Sequence, residues 1–217
     1  MNVWIVSKIR RSRYAWVHGL TEENQSIRLL RPDGSYPLEQ TKFDVGQIWD
    51  LTFHKSYQTI PPHVEDVIVT GWKFIGQEGN LRDVLMQRTT PWKGGVDQLF
   101  NGYLRHIMYE NHAFISERTN FPHISIGYWL LDAPLIKWHE SDFLDYTHEY
   151  LCYRYYTVEK EFIIDYVGFA KPIFKIPEQT LIHVLLNKWW IPSSAFAPSD
   201  DSKVEKRCYL QISDWYL

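Results

Sequence analysis

The residues with the most chemistry to offer lie close together near the start of the chain. Lys8, Arg10, Arg11 and Arg13 form a cationic run, and Tyr14, Trp16 and His18 follow at once. Cations of this kind neutralise phosphates, and flat rings stack on nucleobases at about 1–3 kcal/mol per base. Arg28 and Arg31 would extend the patch from the next segment, and Lys188-Trp189-Trp190 repeats the pairing of charge and ring near the other end. These twelve residues are the candidates for contact with a single-stranded or structured nucleic acid. The competing reading is that the rings fill a core, as buried Trp and Tyr commonly do. For Arg31, the competing reading is that a carboxylate such as Asp50 pins it.

Other chemistry is thinly represented. Pro91-Trp92-Lys93-Gly94-Gly95 has the glycines of a phosphate loop but neither the spacing nor the Ser or Thr of a Walker motif. Close backbone packing is the alternative there. The nine His do not cluster, and the acidic His139-Glu140-Ser141-Asp142 and His148-Glu149 stretches match no recognisable metal-ligand pattern. Ser7, Ser125 and Ser213 lack a nucleophile-elbow context. No catalytic residue, metal or cofactor is therefore assigned, and whether the chain is an enzyme stays open. Cys152 and Cys208 have no partner at zinc-finger spacing and lie in apolar runs, so buried reduced thiols and a cytoplasmic location are expected.

The elements that must position these residues read as mostly strands. Val3 to Val6 is an unbroken apolar run, and from Tyr14 to His18 the side chains alternate, with Tyr14, Trp16 and His18 on one face and Ala15 and Val17 on the other. Ile27 to Leu30 is a third strand, stopped by Arg31-Pro32-Asp33-Gly34. Strands at 48–53 and 64–75 follow, separated by Pro61-Pro62. Leu81 and Leu85 then mark a short helical stripe. Leu99, Phe100, Tyr103, Leu104, Ile107 and Met108 fall at helical spacing and predict an amphipathic helix after Asp97. Strands return from Ile124 and run to Tyr216, interrupted by a Ser-, Pro- and Asp-rich loop over Pro192 to Lys203. No apolar run reaches the ~18 residues that span a bilayer, and no signal peptide is recognisable at the start.

The chain has 217 residues, a net charge of −3 and 16% aromatic residues. An acidic whole with a local basic patch fits a confined anionic ligand better than general coating of DNA. Basic residues concentrate in the first half. The second half contributes Lys188, Trp189, Trp190 and Arg207 to an otherwise acidic region. This division predicts electrostatic affinity from the first half, stacking from the second, and one groove shared between them.

Three stretches carry a family resemblance. They are IVSKIRRSRYAWVHGL with IRLLRP, then WKGGVDQLFNG, then LIHVLLNKWW with RCYLQISDWY. In that order they resemble the bacterial dual OB-containing domain family. The resemblance implies a mainly β fold of two small OB-like β-barrels with a helical connector: residues 1–80, 81–123 and 124–217. It also implies a nucleic-acid or nucleotide ligand and an accessory role in a prokaryotic, antiviral defence or conflict system. Two alternatives stand beside this nucleic-acid-binding or sensing module: a protein-interaction subunit of a defence complex, and a metal-dependent nuclease or nucleotide hydrolase.

Overall fold

The computed structural model of the protein describes residues 1–107, 110–141, 149–191 and 205–217. Its first five strands are β1 (Asn2–Arg11), β2 (Tyr14–Thr21), β3 (Ser26–Leu30), β4 (Gln47–Lys55) and β5 (Asp66–Gln77). They close into a barrel in the order β1-β2-β3-β5-β4. β3 and β5 run parallel, and the other pairs are antiparallel. This is the five-stranded Greek-key arrangement of an OB barrel. The two-residue alternation read from the sequence decides which side is inside. Ala15 and Val17 point inward and join Val3, Ile5, Ile27, Leu29, Trp49, Leu51, Val67 and Val69 in the barrel core. Trp16 and His18 point outward. A bulge between Ile5 and Ser7 shifts the register of β1 along its length.

A short helix, α1 (Leu81–Arg88), follows the barrel. The Asn80 side chain caps it by accepting the Asp83 backbone N–H at 3.2 Å. Leu81 and Leu85 are buried against Val6 and Leu20.

The rest of the chain is again mostly strand: β6 (Trp92–Lys93), β7 (Arg105–Ile107), β8 (Glu110–Ser116), β9 (Ile126–Leu130), β10 (Leu135–Ser141), β11 (Glu149–Tyr156), β12 (Glu161–Tyr166), β13 (Lys175–Ile176), β14 (Leu181–Leu186) and β15 (Arg207–Tyr216). They build a large sheet ordered β13-β10-β11-β12-β15-β14-β9-β6, with the β7–β8 hairpin attached to β15. β15 pairs with β14 along one edge. Its other edge is shared, by β8 over Arg207–Tyr209 and by β12, in parallel, over Gln211–Ile212. The fold is thus mainly β, a closed five-stranded barrel plus a large sheet, consistent with a dual OB-type chain.

One predicted element is replaced. The apolar spacing after Asp97 predicts a helix, but the chain forms a 3-10 turn over Val96–Gly102 and then strand β7. Leu99 is extended, Phe100 and Asn101 take left-handed φ of 51° and 59°, and Gly102 has φ of 79°. Asn-Gly is turn chemistry, and here it overrides the helical period. Leu99 and Phe100 still reach the core, with Phe100 packed 4.8 Å from the Trp92 ring. Among its described residues, the predicted helical stretch 81–123 therefore holds one α-helix, the 3-10 turn and strands β6 to β8. Met108 and the loop predicted over Pro192 to Lys203 lie outside the described residues, as does His148.

The barrel and the sheet meet along a seam. The outward face of β1 and β2 lies on β9, β14 and β15. Val6 and Leu20 pack with Tyr128, Leu181 and Tyr216 on one side, and Ile9 and Trp16 pack with Ile126 and Leu185 on the other. The Arg10 N–H donates to the Val167 carbonyl at 3.1 Å. Gly168 faces β15 so closely that a Cβ there would sit 1.9 Å from the Ser213 carbonyl oxygen.

Candidate nucleic-acid interface

Alternation along β2 delivers Trp16 and His18 to the seam rather than to solvent. Pairing places Ser7, His18, Arg28 and Asp66 in one row across β1, β2, β3 and β5. The facing sheet carries Tyr128, His183 and Asp214 in a second row across β9, β14 and β15. The rows meet where the His18 and His183 rings lie 5.2 Å apart, tilted by 30°. Leu20 and Leu181 lie on one side of this pair, and Trp16 and Leu185 on the other. Burial forces both rings toward the neutral form. His183 is pushed down to about 3 and bonds Ser213 Oγ through Nδ1. His18 is lowered well below its ordinary value by burial, then by His183, Arg28 and Arg11.

Arg28 is 0% exposed and donates Nε to Asp66 Oδ1. Burial opposes its charge, but the bond to Asp66 and that carboxylate's field outweigh it and raise its pKa. Trp16, at 5% exposure, is ringed by cations: Arg11 at 4.7 Å, Arg28 at 5.0 Å and Lys188 at 5.7 Å from its centroid. Arg11 Nη2 also donates to Gln211 Oε1 at 2.6 Å. Three of the candidates, drawn from both halves, thus converge on the indole of a fourth. The same packing covers that indole, so Trp16 and His18 bind the halves to each other, Arg28 is held within the barrel by Asp66, and none of the three offers a stacking face.

The other candidates divide by exposure. Arg13 lies over the Tyr14 ring at 5.0 Å, and Arg10 pairs with Glu39 at 3.1 Å and covers Phe169. Lys8 is buried and bound to Asp44 at 3.1 Å. Arg31 faces Asp33 at 3.8 Å, not Asp50, which takes the Met1 amino group at 2.7 Å. Lys188 is exposed and lies 4.8 Å over the Tyr36 ring. Trp189 is packing: its Nε1 donates to the Pro61 carbonyl at 2.8 Å and its ring meets Phe121 at 5.4 Å. Trp190 remains 47% exposed. In the Pro91–Gly95 stretch the Gly94 carbonyl accepts Trp129 Nε1 at 2.8 Å, which is close packing. Cys152 and Cys208 are both buried thiols rather than a disulfide pair.

The ring-rich surface that is open was missed. β5 runs on past its pairing with β3, and its second half pairs with β4 alone. There Trp72 and Phe74 stand on one face, 49% and 50% exposed. Phe74 packs against Trp49 at 5.2 Å, which in turn meets Phe43 at 5.0 Å. Lys42 Nζ sits 3.7 Å from the Trp72 centroid and 5.4 Å from that of Trp49. Partial burial lowers the Lys42 pKa. The signal was present in Gly71-Trp72-Lys73-Phe74, two rings at strand spacing with a cation between them. Among the described residues, no group of three or more His, Cys, Asp or Glu is placed to hold a metal. No helix among them is long and apolar enough to cross a membrane.

Comparison with curated proteins gives no match. A family model for a dual OB-containing domain matches residues 1–215. OB barrels as a class bind oligonucleotides and oligosaccharides, so at that general level the match points to nucleic-acid binding. It covers the barrel, the seam and the large sheet alike, and the chain belongs to the dual OB-containing domain family.

Proposed function

We propose that this protein is a binding module for single-stranded nucleic acid, with the mouth of the N-terminal barrel as its principal contact surface. Bases stack on Trp72 and Phe74, and Lys42, held over the Trp72 ring, meets a phosphate beside them. The exposed part of the basic turn, Arg10 and Arg13 with Tyr14, adds cations, and Lys188 and Trp190 add a contact from the second half. The observation that carries this reading is the exposed Trp72 ring with Lys42 Nζ 3.7 Å from its centroid. It is an aromatic platform with a positive charge in place on an OB-type barrel.

The test is fluorescence anisotropy with a labelled oligo-dT at two salt concentrations. Binding should weaken with salt as counterions are released. Trp72→Ala should weaken it by about 1–3 kcal/mol with little change in salt slope. No binding at low salt, or Trp72→Ala binding as well as wild type, would count against the proposal. The role within a prokaryotic, antiviral defence or conflict system belongs to the same proposal and rests on the family resemblance. Co-purification from the native host tests it. A protein that stays bound after nuclease treatment would favour an interaction subunit instead.

A further inference from the structure

A second site lies apart from the aromatic mouth. A cavity of about 340 Å³ opens where the loop before β4 meets the segment after β12. Lys8, Asp44 and Val45 line it from the barrel side, and Phe169, Ala170 and Asp214 from the other. Its size suits a small planar ligand.

Asp214 is the unexplained group. It is 8% exposed, and it receives the Trp215 backbone N–H at 3.0 Å and no other hydrogen bond among the described residues. Two tyrosine hydroxyls that could serve it are committed elsewhere. Tyr166 donates to the Ala170 carbonyl at 2.8 Å, and Tyr216 donates to the Val6 carbonyl. The second acid in the wall, Asp44, already holds Lys8. A buried carboxyl short of donors is costly unless something supplies them. Lys8 carries three N–H donors, and its two oxygen partners, Asp44 and the Thr41 carbonyl, leave one to offer. The wall therefore presents an acceptor that wants N–H groups, a donor that wants an acceptor, and apolar surface from Val45, Phe169 and Ala170.

We infer that this cavity binds a guanine base. The guanine edge carries two adjacent N–H donors, which suit the Asp214 carboxylate, and beside them the O6 acceptor, which suits Lys8. Adenine offers no such donor pair, and hypoxanthine lacks the 2-amino donor. Because the walls come from both sides of the seam, the ligand would also tie the halves together. This inference deepens the nucleic-acid reading by naming a base, either as a free nucleotide or as one base of a bound strand.

The experiment is calorimetric titration of the whole protein with GMP, IMP and AMP at pH 7.5. GMP should bind at least ten-fold more tightly than IMP or AMP, with proton release visible as a dependence of the heat on buffer, since burial pushes the Asp214 carboxyl up to about 7. Asp214→Asn should weaken GMP ten-fold or more while the variant keeps a cooperative melt and wild-type oligo-dT binding. GMP should also raise the melting temperature of wild type but not of Asp214→Asn. GMP binding no better than AMP, or binding unaffected by Asp214→Asn, overturns the inference. Oligo-dT needs no guanine, so its binding reports on the proposed strand-binding surface and not on this cavity, which separates the two failures.

Discussion

The histidine pair in the seam makes acid sensitivity calculable. An ordinary histidine titrates near 6.5, whereas His183 is held to about 3 by burial in the fold. The unfolded chain therefore takes up this proton first. The stability contributed by the neutral ring is complete above about 6.5 and drains away as pH falls toward 3. Between pH 7.5 and pH 5 one such group loses about 2 kcal/mol by proton linkage. His63, also held to about 3 by burial, adds a similar loss, and His18 adds to it in the same direction. Asp214 works the other way. Its carboxyl is raised from 3.8 to about 7, so its stability is complete below 3.8 and is lost as pH rises through 7. Acidification over the same interval recovers about 2 kcal/mol there, and Glu65, raised by burial, acts in the same sense. Wild type should thus be less stable at pH 5 than at pH 7.5, by less than the histidines alone would give. A difference measurement isolates one ring. His183→Asn keeps a polar atom for Ser213 but cannot titrate, so its melting temperature should fall less on acidification than that of wild type. At roughly 2–4 °C per kcal/mol for a chain of this size, the gap is about 4–8 °C. Melts of both proteins at the two pH values give the answer. Parallel pH dependences would mean that His183 is already charged or solvated in the fold, and the account of the seam would fail.

Other perturbations probe the same architecture. Arg28→Ala strands the Asp66 carboxylate and should cost about 3–5 kcal/mol in urea unfolding. Trp189→Ala removes a packed ring together with its bond to Pro61 and should cost about 3–5 kcal/mol, while the half-exposed Trp190→Ala leaves the melt nearly unchanged. Gly168→Ala drives a methyl into the Ser213 carbonyl and should destabilise by at least about 1–3 kcal/mol. Arg13→Ala should leave stability alone and lower the salt slope of oligonucleotide binding by about one unit.

The sequence made some of this plain. Period-two alternation over Tyr14–His18 was legible because a strand in a closed barrel needs one apolar face, and Ala15 and Val17 supply it. The same pattern put Trp16 and His18 on the other side, but pattern does not say what that side meets. Only the return of β14 and β15 onto the barrel shows that a second sheet covers it. Charge next to a ring was read as a ligand surface, and in Arg11, Arg28 and Lys188 around Trp16 it is largely internal cohesion. The apolar spacing from Leu99 onward fitted a helix because residues reaching one core from a kinked turn can mimic the period of 3.6. Asn101-Gly102 held the contrary signal. Trp72 and Phe74 fall inside the strand read over 64–75 but not among the candidates, because the length by which β5 outruns β3 is set by register, which composition does not reveal.

The position of β15 also bears on how the chain assembles during synthesis. Residues 207–216 provide both edges on which β14, β8 and β12 pair. The barrel needs nothing beyond Gln77 to close its ring of strands, so it can form while the rest is still being made. The large sheet has no such option. Its strands emerge over more than a hundred residues before the one that joins them, and their apolar faces wait with open edges in the meantime. Exposed edges and late long-range pairing are the conditions under which nascent chains aggregate or recruit chaperones. Folding of the two halves is therefore separated in time by the reach of the ribosome, and the seam, with its buried histidines, can be laid down only at the last step.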